Sequence, residues 1–226
     1  MCRYFFLVVI AFSALPLPAQ DKSVRPGINQ PFENPKPDEF VNRFEREGRD
    51  ALDHRDAIVK AVGLKPGLVV ADVGAGTGLF TLPFAKEVGP TGKIYAIDIA
   101  ENFVKHIERQ AQSAGLKNVQ GVVCQPDNVN LPPNSIDLAY ICDVYHHFEY
   151  PHKTMRSIHA ALKPGGQLIL IDFHRIEGKS TEFTLGHVRA GQEVFCREVI
   201  DSGFQQIDEK PDLLKESYFV RFVKKD

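Results

Sequence analysis

The stretch that most constrains the fold is residues 69–84, VVADVGAGTGLFTLPF, where a strand pattern leads directly into a helix pattern. An apolar run that ends at Asp72 predicts a buried strand. Gly74, Gly76 and Gly78 follow at alternate positions, before apolar residues of helical spacing begin. Glycine tolerates positive φ and lets a ligand contact bare main chain, and the next helix points free N–H groups into the same crevice. The stretch therefore predicts a ligand site at a strand–loop–helix turn.

The glycine spacing distinguishes between two classes of nucleotide-binding fold. A dinucleotide fingerprint, G-x-G-x-x-G, needs a small residue where this chain has Leu79. Gly78 comes one position earlier, so the segment from Asp72 has the pattern D-x-G-x-G-x-G. This pattern resembles the first motif of the class I S-adenosylmethionine (SAM) methyltransferases. The resemblance implies that Asp72, Gly74, Gly76 and Gly78 border a SAM site.

Strand and helix patterns alternate along most of the chain. Strands are predicted at Val69–Val73, Ile94–Asp98, Val119–Cys124, Ile136–Cys142, Gln167–Asp172, Gln205–Glu209 and Ser217–Val223. Helices are predicted at Leu79–Glu87, Asn102–Ala114, His152–Leu162 and His187–Ser202, with two more between Pro37 and Leu64. Alternation indicates a parallel sheet with right-handed crossovers, and the last two strands, with no helix between them, indicate a hairpin. With the resemblance, this predicts an α/β fold: a Rossmann-like three-layer sandwich with a seven-stranded, mostly parallel sheet and a C-terminal antiparallel hairpin strand.

Ligands of an open parallel sheet lie beyond the carboxyl ends of its strands. Asp98, followed by Ile99, closes the second predicted strand, and its carboxylate can accept hydrogen bonds from both ribose hydroxyls of a nucleoside. NAD enzymes use the same device, so Asp98 supports nucleoside binding without choosing the cofactor. The alternative role for Asp98 is to cap the helix that starts near Glu101.

Asp127 and Asn128 follow the third predicted strand, ahead of Leu131-Pro132. This segment resembles the methyltransferase pattern G-D-x-x-x-L-P, although Pro126 stands where glycine is common. The resemblance implies that Asp127 accepts a hydrogen bond from the adenine amine, and that the Asn128 N–H faces a ring nitrogen. The alternative is a turn with Asx geometry.

The fourth predicted strand leads into CDVYHHF. The resemblance implies that the Cys142 backbone contacts the methionine part of SAM. Asp143, Tyr145, His146 and His147 follow where the reacting methyl group is expected, and we predict His147 as the general base, supported by the other three. The alternative is a purely structural role for these histidines.

Composition limits the partners. The chain has 226 residues, which suits one domain with a full core, and its formal charge of −2 gives no reason to expect a polyanion such as RNA or DNA. Three widely spaced cysteines follow the N-terminal segment and form no CxxC pair, so no metal site is predicted. The expected partner is a small-molecule methyl acceptor, hydrophobic or aromatic in character; oligomeric state is not predicted.

The N-terminus predicts export. Met1–Arg3 carry positive charge, residues 4–15 are an apolar run too short to span a bilayer comfortably, and PLPAQ precedes Asp21. Residues 1–20 therefore predict a signal peptide and a periplasmic or secreted protein, although Leu17 makes the cleavage site imperfect. The alternatives are a membrane anchor at residues 4–15 and a cytoplasmic protein. No membrane span is expected after cleavage.

Two further regions complete the predicted organisation. An N-terminal arm and lid helix are expected at residues 21–49, and the catalytic domain at residues 50–226. The chain resembles most the small-molecule group of class I methyltransferases, which includes the ubiquinone/menaquinone C-methyltransferases and the methyltransferase type 11 group. The resemblance implies SAM as cofactor and methyl transfer as reaction. The alternatives are a non-catalytic SAM-binding or scaffold protein and a Rossmann NAD-dependent oxidoreductase.

Overall fold

A computed structural model of the protein describes residues 21–225. The predicted signal peptide, residues 1–20, lies outside the described residues. Within the described range, no helix combines the length and apolar character needed to cross a membrane. The strands are β1 (Val69–Val73), β2 (Lys93–Asp98), β3 (Val119–Val123), β4 (Ile136–Cys142), β5 (Leu162–Phe173), β6 (Phe204–Glu209) and β7 (Ser217–Lys224). The helices are α1 (Pro37–Phe44), α2 (Asp50–Asp53), α3 (Arg55–Val62), α4 (Thr81–Val88), α5 (Glu101–Ser113), α6 (Pro151–Ala161), α7 (Glu182–His187) and α8 (Gln192–Asp201), with 3₁₀ turns at Gln30–Phe32 and Tyr145–His147.

The strands form one sheet in the order β3-β2-β1-β4-β5-β7-β6. The first five strands pair in parallel, whereas β7 runs antiparallel to both β5 and β6. The predicted seven-stranded, mostly parallel sheet with a C-terminal antiparallel hairpin strand is confirmed. Leu168, Ile169 and Leu170 are all fully buried because this sheet is covered on both faces.

Helices on each face of the sheet complete the three layers. On one face, Met155 of α6 and Phe195 of α8 join the apolar strand side chains in a single core. On the other face, Ile58 of α3 and Phe84 of α4 form a second core with Tyr140 of β4. Each helix contributes the apolar stripe that its spacing predicts.

The start of β5 and the number of N-terminal helices differ from the sequence prediction. Strand β5 begins at Leu162, which pairs with Ile136, and not at Gln167 as predicted, so residues 162–166 lie within the strand as a break in register. The region between Pro37 and Leu64 contains three helices rather than two.

The helix predicted over His187–Ser202 is two helices, α7 and α8. Thr181 caps α7, since its side-chain oxygen accepts a hydrogen bond from the Thr184 N–H at 3.1 Å. Helix α8 starts separately after its N-cap, Gly191. His187 therefore ends a short helix instead of beginning a long one, which changes the direction in which its side chain points.

The topology fixes where a ligand binds. The strand order reverses between β1 and β4, and connections that diverge at such a point leave a crevice beyond the carboxyl ends of the strands. The glycine loop at residues 74–78 follows β1, Asp98 ends β2, and Asp143 follows β4. The sheet thus brings three segments predicted for the site to one edge.

One carboxylate ties the N-terminal helices to the C-terminal hairpin. Oδ2 of Asp50, in α2, accepts hydrogen bonds from the backbone N–H groups of Lys215, Glu216 and Ser217, at 2.8, 2.5 and 3.2 Å. Asp50 and Ser217 are buried, whereas Lys215 and Glu216 are exposed residues. The start of β7 depends on this side chain.

We predict that Asp50→Ala lowers the free energy of unfolding by about 2–3 kcal/mol, because three backbone N–H groups lose the buried charged acceptor that they share. Asp56→Ala is the matched control: this side chain is 95% exposed, and its loss should change stability by less than about 0.5 kcal/mol. Urea unfolding of both variants measures the difference, and equal losses would contradict the assigned role of Asp50.

Candidate active site

A cavity of about 740 Å³ lies at the carboxyl ends of β1, β2 and β4. This volume falls in the range of small-molecule sites, about 300–1,000 Å³. Strand ends and the glycine loop form one side, and residues 28–49 of the arm cover the other. The sequence-predicted site residues that line it are Asp72, Gly74, Gly76, Asp98, Ile99, Cys142, Asp143, His146 and His147.

The glycine loop lies close against the segment that follows β4. Gly74 and Gly76 have φ of +73° and +55°, in the left-handed region that favours glycine. The Gly74 N–H donates to the Ile97 carbonyl at 2.8 Å, which fixes the loop on β2. A Cβ at Gly74 would stand 2.3 Å from Cγ1 of Val144, so a larger residue there would displace one of the two loops.

The Asp98 carboxylate joins the glycine loop to the start of α5. One oxygen accepts from the Gly76 N–H and the other from the Ala100 N–H, both at 2.9 Å. Asp98 thus lines the cavity and also holds the N-cap residue of α5, as its alternative role requires. Each oxygen keeps a second lone pair for a ligand hydroxyl. Burial raises the pKa of Asp98 to about 6.

Asp72 is a second buried carboxylate beside the glycine loop. Its Oδ2 accepts a hydrogen bond of 2.5 Å from the Thr81 hydroxyl in α4. Burial raises the pKa of Asp72 to about 7, and the nearby charge of Asp98 adds to the rise. Two carboxylates in this part of the cavity favour a ligand that brings positive charge.

Asp143 adopts φ of +54° directly after β4. Its Oδ2 accepts from the Arg49 guanidinium at 2.5 Å, and Arg49 also donates to the Phe44 carbonyl at 2.8 Å. Oδ1 of Asp143 is buried and has no hydrogen-bond partner within residues 21–225. Burial raises the pKa of Asp143, although Arg49 opposes the rise. The orphaned oxygen is suited to accept from a ligand ammonium group.

His146 is held by a buried carboxylate at the end of β5. Its Nδ1 lies 2.8 Å from Oδ1 of Asp172, and its backbone N–H donates to Oδ2 of Asp172 at 3.1 Å. The Phe173 N–H also donates to Asp172, at 2.8 Å. Because a carboxylate accepts only from a protonated nitrogen, this pair directs the Nδ1–H toward Asp172.

His147 and His187 lie side by side in the lining of the cavity. Their Nε2 atoms lie 3.3 Å apart. Burial first, and the charge of His146 next, lower the pKa of His147 to about 2 and that of His187 to about 4. An efficient general base has a pKa near the working pH. His147 is therefore a weak proton acceptor, and the structure does not favour the general-base role predicted for it.

The N-terminal arm closes the cavity with aromatic rings. Phe32, Phe40 and Phe44 contact one another and Phe103 of α5, with ring centroids 5.2–6.5 Å apart. Phe32 also packs edge-on against His147, at 5.2 Å. These contacts place residues of the predicted arm and lid segment over the crevice.

Four predicted site residues lie outside the cavity lining in the described part of the chain: Gly78, Asp127, Asn128 and Tyr145. Gly78 faces α5, where a Cβ would meet Ile107 at 3.1 Å. The Tyr145 ring packs between Phe148 and Phe195, at 5.1 and 5.0 Å, on the buried side of its 3₁₀ turn. The next two residues of the turn, His146 and His147, line the cavity instead.

Asp127 and Asn128 belong to a turn at the rim. The Asp127 carboxylate lies 3.7 Å from the Lys153 ammonium and is 42% exposed. The Asn128 side chain accepts from the Asn130 N–H at 2.8 Å, the geometry of the turn alternative. The neighbouring Cys124, Gln125 and Pro126 line the cavity instead.

Sequence patterns did not indicate several lining residues. Thr77 lies within the glycine motif, where its hydroxyl donates to Glu45 of the arm at 2.8 Å. His187 lies 40 residues beyond His147 in the chain, and only the helix cap at Thr181 signals that the segment before it forms a helix of its own. Recognition of that cap would have separated α7 from α8.

The cavity fits SAM by three observations. Bare main chain at Gly74 and Gly76 allows close approach, Asp98 offers two acceptors for ribose hydroxyls, and the orphaned oxygen of Asp143 can accept from the methionine ammonium group. Buried carboxylates also complement the positive charge of a sulfonium.

The raised pKa of Asp72 generates a pH prediction. Between about pH 4 and 7 the folded chain holds a proton that the unfolded chain has released, so stability falls as pH rises through this window. Asp72→Asn keeps an acceptor for Thr81 but removes the titration. We predict that the variant gains stability relative to the natural chain by a few kcal/mol between about pH 4 and pH 8.

Urea unfolding of both chains at the two pH values measures this gain. Asp56→Asn, an exposed carboxylate, is the control and should show a flat difference. A flat difference for Asp72→Asn as well would mean that Asp72 is ionised without cost in the folded state.

Sequence comparisons agree with this geometry. Residues 71–170 match the family described as a methyltransferase domain. Over 166 residues the chain is 31% identical to the ubiquinone/menaquinone biosynthesis C-methyltransferase UbiE of Hydrogenovibrio crunogenus, an alignment that covers 73% of this chain and 64% of that enzyme. The chain thus spans less than two thirds of that relative's length.

Solved structures point the same way. A SAM-dependent methyltransferase from Aquifex aeolicus superposes with a TM-score of 0.73 and 26% sequence identity. The superposition covers 84% of this chain and 100% of that one. The [4+2]-cyclase SpnF superposes with a TM-score of 0.67, 19% identity and coverage of 80% and 85%, a likeness of fold alone. Taken with the glycine loop and the acidic cavity, these findings show that residues 71–170 carry a methyltransferase domain of the class I SAM-dependent type, whose cofactor is SAM.

Proposed function

We propose that the protein transfers the methyl group of SAM to a small hydrophobic or aromatic molecule. One observation carries the proposal: a single cavity joins a cofactor end, with Gly74, Asp98 and Asp143, to a second end with Phe173, Phe183 and polar side chains. The cavity is large enough for two ligands to meet. Its second end is the expected place of the methyl acceptor.

The chain's own residues hold and orient the cofactor in this proposal. SAM, when bound, supplies an electrophilic methyl group on a sulfonium sulfur. Asp98 binds the ribose hydroxyls, and Oδ1 of Asp143 binds the ammonium group of the methionine part. We assign the Cys142 backbone, which lines the cavity, to the same part of the cofactor on the strength of the resemblance. Fixing both ends of the cofactor aims the methyl group along the cavity, which is the main requirement of an in-line displacement.

The arm supplies the second requirement, exclusion of water. Asn29 donates to the His147 carbonyl at 3.1 Å, and Asn102 of α5 donates to the Pro35 carbonyl at 3.1 Å. With Phe32 and Phe44 in the cavity lining, these bonds hold the arm across the crevice. The same aromatic rings favour an apolar acceptor.

The fold hosts other chemistry, so two alternatives need a direct test. SpnF has this fold and is a [4+2]-cyclase, which shows that a SAM-type fold does not by itself fix the reaction. A non-catalytic SAM-binding protein would bind the cofactor and turn nothing over. An NAD-dependent oxidoreductase would bind NADH in preference to SAM.

We predict that the protein without residues 1–20 binds SAM and S-adenosylhomocysteine, and that Asp98→Ala weakens both by about tenfold to a hundredfold, the scale for loss of a charged hydrogen bond. Calorimetry measures the affinities, with NADH as a competing ligand. Asp127→Ala is the matched control, since this carboxylate lies at the rim. Equal weakening by both variants would restore Asp127 to the site and contradict its observed position.

Turnover distinguishes the catalytic proposal from its non-catalytic alternative. Protein with confirmed SAM binding is incubated with quinols, phenols, thiols and amines, and S-adenosylhomocysteine formation is followed. Formation that depends on one acceptor class supports the proposal. Binding without turnover for every class supports the scaffold alternative.

We also propose that residues 1–20 direct export. The charged start, the apolar run at residues 4–15 and Ala19 support the proposal. A fusion of residues 1–30 to a periplasmic reporter should be exported and cleaved near Ala19 or Gln20. A fusion with Arg3→Glu and a charge inserted into the apolar run is the control. Uncleaved reporter in the cytosol would reject export and leave the methyltransferase proposal intact.

A further inference from the structure

Three histidines converge at the acceptor end of the cavity. His146 and His147 lie in the 3₁₀ turn after β4, and His187 ends α7. One ring nitrogen from each lies within 4.8 Å of the other two. The rings pack against one another, with centroids 4.4 Å apart for His146 and His147 and 5.1 Å for each of the other pairs. All three line the same cavity as the cofactor residues.

Asp172 prepares His146 as a ligand. The buried Asp172 carboxylate accepts a hydrogen bond of 2.8 Å from the Nδ1–H of the ring. The nitrogen of His146 that is left to bind a metal is therefore Nε2. Histidines that bind metals are held in this way by a carboxylate, which fixes the ring's tautomer and raises its basicity as a ligand. Asp172 is itself fully buried and fixed by the Phe173 N–H, so it does not reorient.

The spacing of His147 and His187 fits a metal better than a hydrogen bond. Their Nε2 atoms are 3.3 Å apart, beyond the usual 2.7–3.2 Å of an N–H hydrogen bond. Two nitrogens bound to one tetrahedral zinc, each at about 2.0–2.1 Å, stand about 3.3 Å from each other.

The His147 ring is held in the cluster by its ring contacts. Its other ring nitrogen, Nδ1, is buried and has no hydrogen-bond partner within residues 21–225. The rings of Phe32, His146 and His187 pack against it, with centroids 5.2, 4.4 and 5.1 Å away. These contacts keep its Nε2 beside that of His187.

We propose that His146, His147 and His187 bind a divalent transition-metal ion of the zinc class, with an open fourth position that faces the cavity. Imidazole ligands suit Zn²⁺ and its neighbours, whereas Mg²⁺ and Ca²⁺ prefer oxygen ligands. Three protein ligands with one open position are typical of catalytic rather than structural zinc. The methyl acceptor is the ligand expected at the open position.

The role of that open position rests on the proposed function, although the metal site itself does not. A hydroxyl or thiol acceptor bound to the ion loses its proton to solvent water, since a bound cation lowers the pKa of such a group. The resulting anion attacks the methyl carbon, the carbon–sulfur bond breaks, and its electron pair stays on sulfur in S-adenosylhomocysteine. In this arrangement the ion would lower the pKa of the acceptor, so no side chain has to act as its general base.

Zn²⁺ and Co²⁺ are the probes for the experiment. Protein lacking residues 1–20 is stripped with chelator and titrated by calorimetry, and Co²⁺ is followed by its visible absorption, which reports tetrahedral nitrogen coordination. We predict one ion per chain. His187→Ala and His147→Ala should each weaken Zn²⁺ binding by at least a hundredfold, and Asp172→Asn by about 10–100-fold, the scale for loss of the group that orients a ligand.

The matched control is His106→Ala. His106 lies in α5, forms a hydrogen bond with Gln110, and is not part of the three-histidine cluster. This variant should bind Zn²⁺ as the natural chain does. SAM affinity, measured on the metal-free protein and on each variant, reports folding and tests the proposed function separately. Retained SAM binding with no Zn²⁺ binding would overturn the metal site alone. Zn²⁺ binding that survives His187→Ala would also overturn it.

Discussion

The site depends on a close approach between two loops at the point where the strand order reverses. Gly74, after β1, stands so near Val144 that no Cβ fits between them. This contact brings the glycine loop and Asp143 to the same edge of the sheet, although 69 residues of chain separate their positions. The same contact positions the acceptor end relative to the cofactor end, because His146 and His147 follow Val144 in the same short segment. The glycine is therefore a condition for the cavity as well as for cofactor approach.

Charge is the second feature that unites the cavity. Asp72, Asp98 and Asp143 are buried carboxylates around the cofactor end, and burial raises the pKa of each. Arg49 offsets only part of this charge, through Asp143. Burial deprives these carboxylates of hydrating water. The positive charges of a sulfonium and an ammonium group compensate for this loss when the ligand binds. The cofactor end is thus built at a cost in stability that a cationic ligand offsets on binding.

The fold was predictable from sequence where the physics is local. Strands β1 and β4 match their predicted bounds because continuous apolar runs describe strands that are buried on both faces. The glycine loop and Asp98 were predictable because spacing within one turn determines them. Asp127 was predicted for the site, but its turn carries it to the rim, where Lys153 faces it. His187 was not predicted, since its contact with His147 exists only through the packing of α7.

The tether at Asp50 divides the N-terminal segment into a fixed part and a covering part. From Asp50 onward the backbone is anchored to β7, whereas Gly48, two residues earlier, has φ of +86° and open space around it. A rotation about Gly48 would swing α1 and its phenylalanines away without disturbing either core. Arg49 lies on the fixed side of this hinge, so the rotation would break its hydrogen bond to the Phe44 carbonyl and leave its contact with Asp143 in place. Opening the cavity and releasing one of the two partners of this guanidinium are then the same movement.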